Sequence, residues 1–205
     1  MVSVTQVLDA LVEKELLNWI EKNSKAKRKA ITDEALRVGT EVDLLVQQDI
    51  KEGGYLLPEG DSKIESCMTA WEKFKKDHPN FISGIKDIQL ELKQGEIVGH
   101  PDIITRDGGV VDIKTSRSIY PRYWLQVAQY SEMLKSNPDY FGKLSDRYIA
   151  VLCLDKESGN YTYQEMKDEA HIQYEVSVFN AYYKVYKHAF NNREIIRQQL
   201  ELEVV

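Results

Sequence analysis

The sequence predicts a single α/β domain in which a mixed central β-sheet is flanked by helices. Apolar residues recur at helical spacing through the first 80 residues, a hairpin pattern lies near the middle, and an aromatic-rich helix closes the chain. A chain of 205 residues has the length of one domain. We therefore expect a mainly helical part at residues 1–80, a sheet core at 85–166 and a C-terminal helix at 169–200.

Three helices are predicted in the mainly helical part of the chain. The first covers residues 3–23, with Ser3 as a suitable N-cap. The second covers residues 32–50, and another helix is predicted at 63–76. The basic stretch at residues 22–29 is either a solvated connector or a patch that guides a nucleic-acid strand.

The middle of the chain carries a strong β-hairpin signal. Short apolar runs on either side of residues 106–109 are joined by a turn that ends in Asp-Gly-Gly. Residues two apart on a strand share a face, so Asp112 and Lys114 lie together, opposite the apolar Ile113. Asp102 precedes the first run. The hairpin therefore places two carboxylates and an ammonium group at one end of a small sheet.

This set of charged groups suits a divalent cation. Two carboxylates held close together repel each other unless a cation lies between them, and ligand sets made of oxygen suit Mg²⁺ or Mn²⁺. Lys114 would then hold an attacking water beside a phosphate group. The alternative is a plain Asp112–Lys114 salt bridge on a solvated strand.

These residues resemble the signature of the PD-(D/E)XK nuclease superfamily. Pro101-Asp102 followed by Asp112-x-Lys114 matches the signature, with Asp in the D/E position. The helix predicted at 120–135 carries Gln126-Val127-Ala128-Gln129-Tyr130, which resembles the Q-x-x-x-Y motif of the RecB-like branch. Most of the chain is similar to the phage and mitochondrial genome-maintenance exonucleases of that branch.

The resemblance implies a restriction-endonuclease-like fold and a deoxyribonuclease that depends on Mg²⁺ or Mn²⁺. The implied catalytic residues are Asp102, Asp112, Lys114, Gln126 and Tyr130. The implied metal ligands are Asp43, Asp102, Asp112, the Ile113 carbonyl and Glu91. Asp43 fills a position that is His or acidic in the family. Glu91 lies on the strand predicted at 85–92, and its alternative is an exposed strand face.

Further residues are expected to contact nucleic acid. Arg37 and Gly39 match an arginine–glycine motif of the family, although Gly39 would equally serve the packing of a helix against the sheet. Ser116, Arg117 and Arg122 lie among aromatic residues, a mixture that suits phosphate contacts and stacking on unpaired bases.

Composition limits the classes of function. The net charge of −6 is unusual for a nucleic-acid binder, so we expect local basic clusters and weak, salt-sensitive binding. Two cysteines are too few for a disulfide framework, which favours a cytoplasmic location. The resemblance to phage exonucleases implies a bacterial or phage-infected cell. The cysteines are also too few for an iron–sulfur cluster, which argues against the cluster-bearing CRISPR adaptation nucleases. No apolar run approaches the roughly 18 residues that a membrane span needs.

The expected function is a metal-dependent exonuclease acting on single-stranded DNA ends in replication, recombination or repair, with a protein of those processes as a partner. Three alternatives stay open. They are a double-strand exonuclease of the lambda type, a site-specific endonuclease, and a non-catalytic subunit that binds nucleic acid.

Overall fold

The computed structural model describes residues 1–9, 20–140 and 147–202, and the side chains of the last helix up to residue 190. The elements in chain order are β1 (Val2–Ser3), α1 (Val4–Asp9), α2 (Lys25–Glu52), α3 (Ser62–Asp77), α4 (Phe81–Gly84), β2 (Ile85–Ile88), β3 (Leu92–Gln94), β4 (Ile97–Gly99), β5 (Ile103–Thr105), β6 (Val110–Lys114), α5 (Pro121–Lys135), β7 (Ile149–Leu154), β8 (Tyr161–Met166) and α6 (Glu169–Leu202). None of the described helices is long and apolar enough to cross a membrane.

A mixed five-stranded sheet in the order β2-β5-β6-β7-β8 forms the centre of the described fold. Strands β6 and β7 are parallel and the other neighbours are antiparallel. A parallel pair needs a crossover connection, and α5 lies within the one that joins β6 to β7. A smaller sheet in the order β1-β4-β3 accompanies it. The predicted α/β class is therefore confirmed.

Helices cover both faces of the central sheet. On one face, α2 and α3 contribute Val42 and Trp71 to a core that includes Val111 of β6. On the other face, α1, α5 and α6 pack around Val110 of the same strand. Since side chains alternate along a strand, Asp112 lies on the side of Val110, toward α5. The fold thus directs the acidic side chain of β6 toward the helix that carries Gln126.

The helical part differs from the prediction at its boundaries. Gln6 N donates to Ser3 Oγ (3.0 Å) and Ser3 N donates to Gln6 Oε1 (2.9 Å), so Ser3 is the expected N-cap. The part of the first predicted helix at residues 10–19 lies outside the described residues. The second helix begins at Lys25, because Ser24 Oγ accepts from Lys27 N at 3.3 Å. Of the two interpretations of the basic stretch, the solvated connector is therefore wrong from residue 25 onward.

The strand predicted at 85–92 is interrupted. Strand β2 ends at Ile88, because Gln89 adopts a left-handed backbone conformation with φ of 51°. Pairing resumes only at Leu92, in the smaller sheet. Glu91 therefore lies between two strands, and the alternation that would have carried it over the aspartates does not exist.

Candidate active site

An open cavity of about 510 Å³ lies between α2, the β5–β6 hairpin and α5. Its lining includes eight of the residues predicted from the sequence: Gly39, Asp43, Asp102, Asp112, Ile113, Lys114, Gln126 and Tyr130. The structure thus brings together side chains from three separate elements, as expected for a functional cleft.

The hairpin fixes the two central carboxylates. Asp102 lies just before β5, and its Oδ2 accepts a hydrogen bond from the backbone N–H of Ile113 at 2.7 Å. Asp112 is 1% exposed, and its Oδ2 lies 2.6 Å from Lys114 Nζ. This ion pair is largely withdrawn from solvent, unlike the solvated salt bridge that the sequence left as an alternative.

Burial and proximity shift the charges of this cluster. Burial raises the pKa of Asp102 to about 8, and the facing carboxylate of Asp112 adds to the increase. Burial likewise raises the pKa of Asp112. Burial alone would lower the pKa of Lys114, but the carboxylates of Asp112 and Asp102 outweigh it, so the pKa is raised overall. Lys114 therefore stays protonated at neutral pH.

Asp43 supplies a third carboxylate from the helical side of the cavity. It is half-buried, and its Oδ2 accepts from Gln47 Nε2 at 2.9 Å on the same helix. Its Oδ1 accepts from Gln89 Nε2 at 3.2 Å, and the same amide nitrogen lies 3.0 Å from Asp102 Oδ1. Burial raises the pKa of Asp43, and the charge of Asp112 contributes. Hydrogen bonds to Gln89 thus link Asp43 to Asp102, at the start of the hairpin.

Helix α5 contributes neutral hydrogen-bonding groups. Gln126 and Tyr130 are four residues apart and so share one helix face, and Gln126 Nε2 lies 3.1 Å from Tyr130 Oη. Tyr130 is 3% exposed. Burial, and then the charge of Asp112, raise its pKa to about 12, so the phenol keeps its proton at neutral pH.

The ring of Tyr130 occupies space that a side chain at Gly99 would need. A Cβ added at Gly99 would lie 2.5 Å from Tyr130 Cε1 and 2.8 Å from Cδ1. We expect Gly99→Ala to displace this ring and to destabilise the protein by about 1–3 kcal/mol. Urea unfolding would measure the loss of stability.

Gly84→Ala is the matched control, because a Cβ there has nothing within 4 Å. It should leave the stability close to that of the wild type. A Gly99→Ala protein as stable as the Gly84→Ala protein would contradict the packing described.

Glu91 and Arg37 are not brought into the cavity. Glu91 is exposed, with Lys93 Nζ at 2.5 Å and His100 Nε2 at 3.7 Å from its carboxylate. The expectation that Glu91 joins the acidic cluster is thus corrected, since the break after β2 removes its strand position. Arg37 extends to Asp61 (2.6 Å), at the N-cap of α3, and to Glu34. It connects two helices instead of facing the cleft.

The remaining predicted contacts lie around the cavity or beyond it. Ser116 Oγ donates to Ser118 O at 3.0 Å, and Arg122 pairs with Asp9 at 3.1 Å. Arg117 is exposed in the loop that follows β6. At Gly39 an added Cβ would meet Thr115 Oγ1 at an ordinary 3.6 Å, so close packing does not require this glycine. DNA contacts by these residues stay predictions.

Several lining residues were not among the predicted site residues, and two of them lie beside the acidic cluster. His100 follows Gly99 and faces the cavity, and Gln89 bridges two carboxylates. The sequence signal for Gln89 was its place in the polar alternation that also contains Glu91. The choice between those positions depended on the backbone turn at Gln89, which local pattern does not reveal.

The donor set fits a small, hard cation bound by few protein ligands. Among the described residues, no group of three or more His, Cys, Asp or Glu side chains is arranged to hold a metal ion. However, Mg²⁺ is commonly bound through one or two carboxylates together with waters and substrate phosphate. Asp102 and Asp112 supply such a pair. Asp112 Oδ2 is buried without a regular hydrogen bond, its close contact being the ion pair with Lys114.

No protein-family model and no curated protein matches the chain. The chain is similar to the solved structure of an alkaline exonuclease, LHK-Exo from Laribacter hongkongensis, with 13% identity and a TM-score of 0.39 over 95% of this chain and 93% of that chain. It is also similar to a phage-related exonuclease from Haemophilus somnus 129PT, with 16% identity and a TM-score of 0.31 over 92% of this chain and 96% of that chain. These similarities are low, so the function has to be inferred from the side-chain geometry.

Proposed function

We propose that this chain is a metal-dependent DNA exonuclease that hydrolyses phosphodiester bonds at single-stranded ends. The observation that carries the proposal is the convergence of Asp102, Asp112 and Lys114 in one open cavity. A salt bridge that served only stability would gain little from this placement, because burying a charged pair costs desolvation energy. The same three residues carry the resemblance to the PD-(D/E)XK nucleases.

The residues that would hold a divalent cation are Asp102, Asp112 and the Ile113 carbonyl, with Asp43 beside them. Bound Mg²⁺ or Mn²⁺ would polarise the scissile phosphate and lower the pKa of a coordinated water. The raised pKa values of the two aspartates mean that cation binding competes with protons. Binding should therefore strengthen as the pH rises.

Lys114 acts as a positively charged hydrogen-bond donor in this proposal. Because its pKa is raised, it does not serve as a general base at neutral pH. Its ammonium group donates to a phosphate oxygen or to the attacking water, and it stabilises negative charge that develops during hydrolysis.

Gln126 and Tyr130 orient the substrate in the same proposal. Both present donors on the face of α5 that lines the cavity. The Tyr130 phenol keeps its proton, so it can donate to a phosphate oxygen without carrying charge. Holding the phosphate in a fixed position lowers the entropic part of the barrier.

Basic side chains near the cavity suit the phosphates of a bound strand. Arg117 follows Thr115, which lines the cavity. Exposed lysines occupy the first turns of α2, whose later turns form one wall. Local groups of this kind can bind phosphate despite the net charge of −6, with an affinity that falls as salt rises.

End-labelled oligonucleotides test the proposal directly. With Mn²⁺ we expect linear single strands to be degraded to mononucleotides or short products, and circular single strands to stay intact. EDTA should abolish degradation. Faster digestion of duplex ends would support the lambda-type alternative, and cutting of circles would support an endonuclease.

A non-catalytic subunit that binds nucleic acid is the second candidate. One observation favours it, namely that the described residues do not assemble three or more acidic, His or Cys side chains around a metal position. This candidate predicts that a clean preparation binds DNA but never cleaves it, with either Mg²⁺ or Mn²⁺ present.

A further inference from the structure

The side chain of Gln89 bridges two carboxylates that come from different parts of the fold. Its Nε2 donates to Asp43 Oδ1 at 3.2 Å and to Asp102 Oδ1 at 3.0 Å. Asp43 belongs to α2 and Asp102 to the segment before β5. A neutral amide with two N–H groups thus lies between two acids, where a cation would otherwise balance their charge.

The backbone at Gln89 is also unusual. Among the described residues it is the only one other than glycine with positive φ, at 51°. This left-handed conformation is unfavourable for a residue with a Cβ. Gln89 N also donates to Asp102 O at 3.2 Å, so the turn is held against the segment that carries one of the bridged acids.

We propose that Gln89 is a positioning residue that holds Asp43 and Asp102 together in the metal-free protein and gives way when a divalent cation binds. This inference rests on the proposed metal-dependent function. The amide takes the place between the carboxylates that the cation would fill. A cation bound to Asp102 would compete with the Gln89 amide for Asp102 Oδ1. Gln89 would then lose its hydrogen bond to Asp102 or the one to Asp43.

Competition between Gln89 and the cation determines whether a substitution at Gln89 tightens or weakens metal binding. An interaction made only in the metal-free state opposes metal binding, since it stabilises one side of the equilibrium. Loss of the bridge should destabilise the metal-free protein and tighten cation binding. A residue that merely supports the site would show the opposite sign, because its loss would loosen the carboxylates and weaken binding.

Gln89→Asn separates these cases. Asparagine tolerates positive φ better than most residues, so the backbone turn is preserved. Its side chain is one methylene shorter and cannot span both acids. Gln47→Asn is the matched control, because it shortens the other amide that contacts Asp43 but leaves Asp102 untouched.

Mn²⁺ binding by calorimetry and the melting temperature in EDTA give the two readouts. For Gln89→Asn we expect a lower melting temperature in EDTA and a Kd for Mn²⁺ that is about tenfold smaller, the size of one hydrogen bond to a charged group. Gln47→Asn should change the Kd by less than about twofold, because its contact persists in both states.

An unchanged or larger Kd for Gln89→Asn would overturn this inference while leaving the metal site in place. Failure of the wild-type protein to bind Mn²⁺ would instead overturn the metal site and this inference with it. The two failures are therefore distinguishable in one experiment.

Discussion

Replacement of Lys114 by Met should lower the rate of DNA cleavage by about 10²–10³-fold while Mn²⁺ binding is retained. Methionine keeps much of the volume but removes the charge that lies 2.6 Å from Asp112. Without the ammonium group, β6 has no positively charged side chain to stabilise negative charge on the phosphate. The aspartates that would hold the cation remain.

Lys93→Met is the matched control for this variant. Glu91-Leu92-Lys93 has the same acid-x-lysine spacing and an ion pair of 2.5 Å, but its side chains are 52% and 51% exposed. It should cleave DNA at the wild-type rate. The metal-free Lys114→Met protein should be less stable, since a buried carboxylate loses its partner. Circular dichroism with Mn²⁺ present would verify that it is folded. Wild-type cleavage by folded Lys114→Met would reject the role of Lys114.

Replacement of Asp112 by Asn should abolish both Mn²⁺ binding and cleavage. Asp112 is 1% exposed and has no replacement carboxylate on its strand. Loss of a direct ligand should raise the Kd for Mn²⁺ by at least about 100-fold. This is more than the roughly 10–100-fold loss of affinity typical of a residue that only orients ligands. Calorimetry and the cleavage assay would measure the two losses.

Glu91→Gln is the control for this second variant, because Glu91 is acidic and exposed and does not line the cavity. It should bind Mn²⁺ and cleave DNA as the wild type does. Asp112→Asn tests metal binding and Lys114→Met tests charge stabilisation, so the two variants separate these roles. An Asp112→Asn protein with the wild-type affinity for Mn²⁺ would show that Asp112 is not a ligand.

The parts of the site that follow from local geometry were predictable from the sequence. Alternation along β6 places Asp112 and Lys114 on one face, and a four-residue spacing on α5 does the same for Gln126 and Tyr130. The hairpin turn between β5 and β6 carries its own signal. These relations depend on the period of a single element, so the pattern of residues is sufficient.

The features that were missed depend on contacts between elements. The break at Gln89 is a left-handed turn at a residue with a Cβ, and its side chain contacts Asp43 and Asp102, 46 and 13 residues away. Arg37 points away from the cavity because it forms an ion pair with Asp61, the N-cap of α3. The start of α2 is an exception, because its signal is local. Ser24 is a good N-cap, but the polar residues that follow it led to the prediction of a loop.

Anomalous diffraction from a crystal of the wild-type protein soaked in Mn²⁺ tests the central claim most directly. The account predicts a manganese peak in contact with carboxylate oxygens of both Asp102 and Asp112, with Lys114 beside it and the Gln89 amide moved off at least one of the acids it now bridges. A fully soaked crystal in which these aspartates contact no manganese, and the Asp43–Gln89–Asp102 bridge is intact, would contradict it.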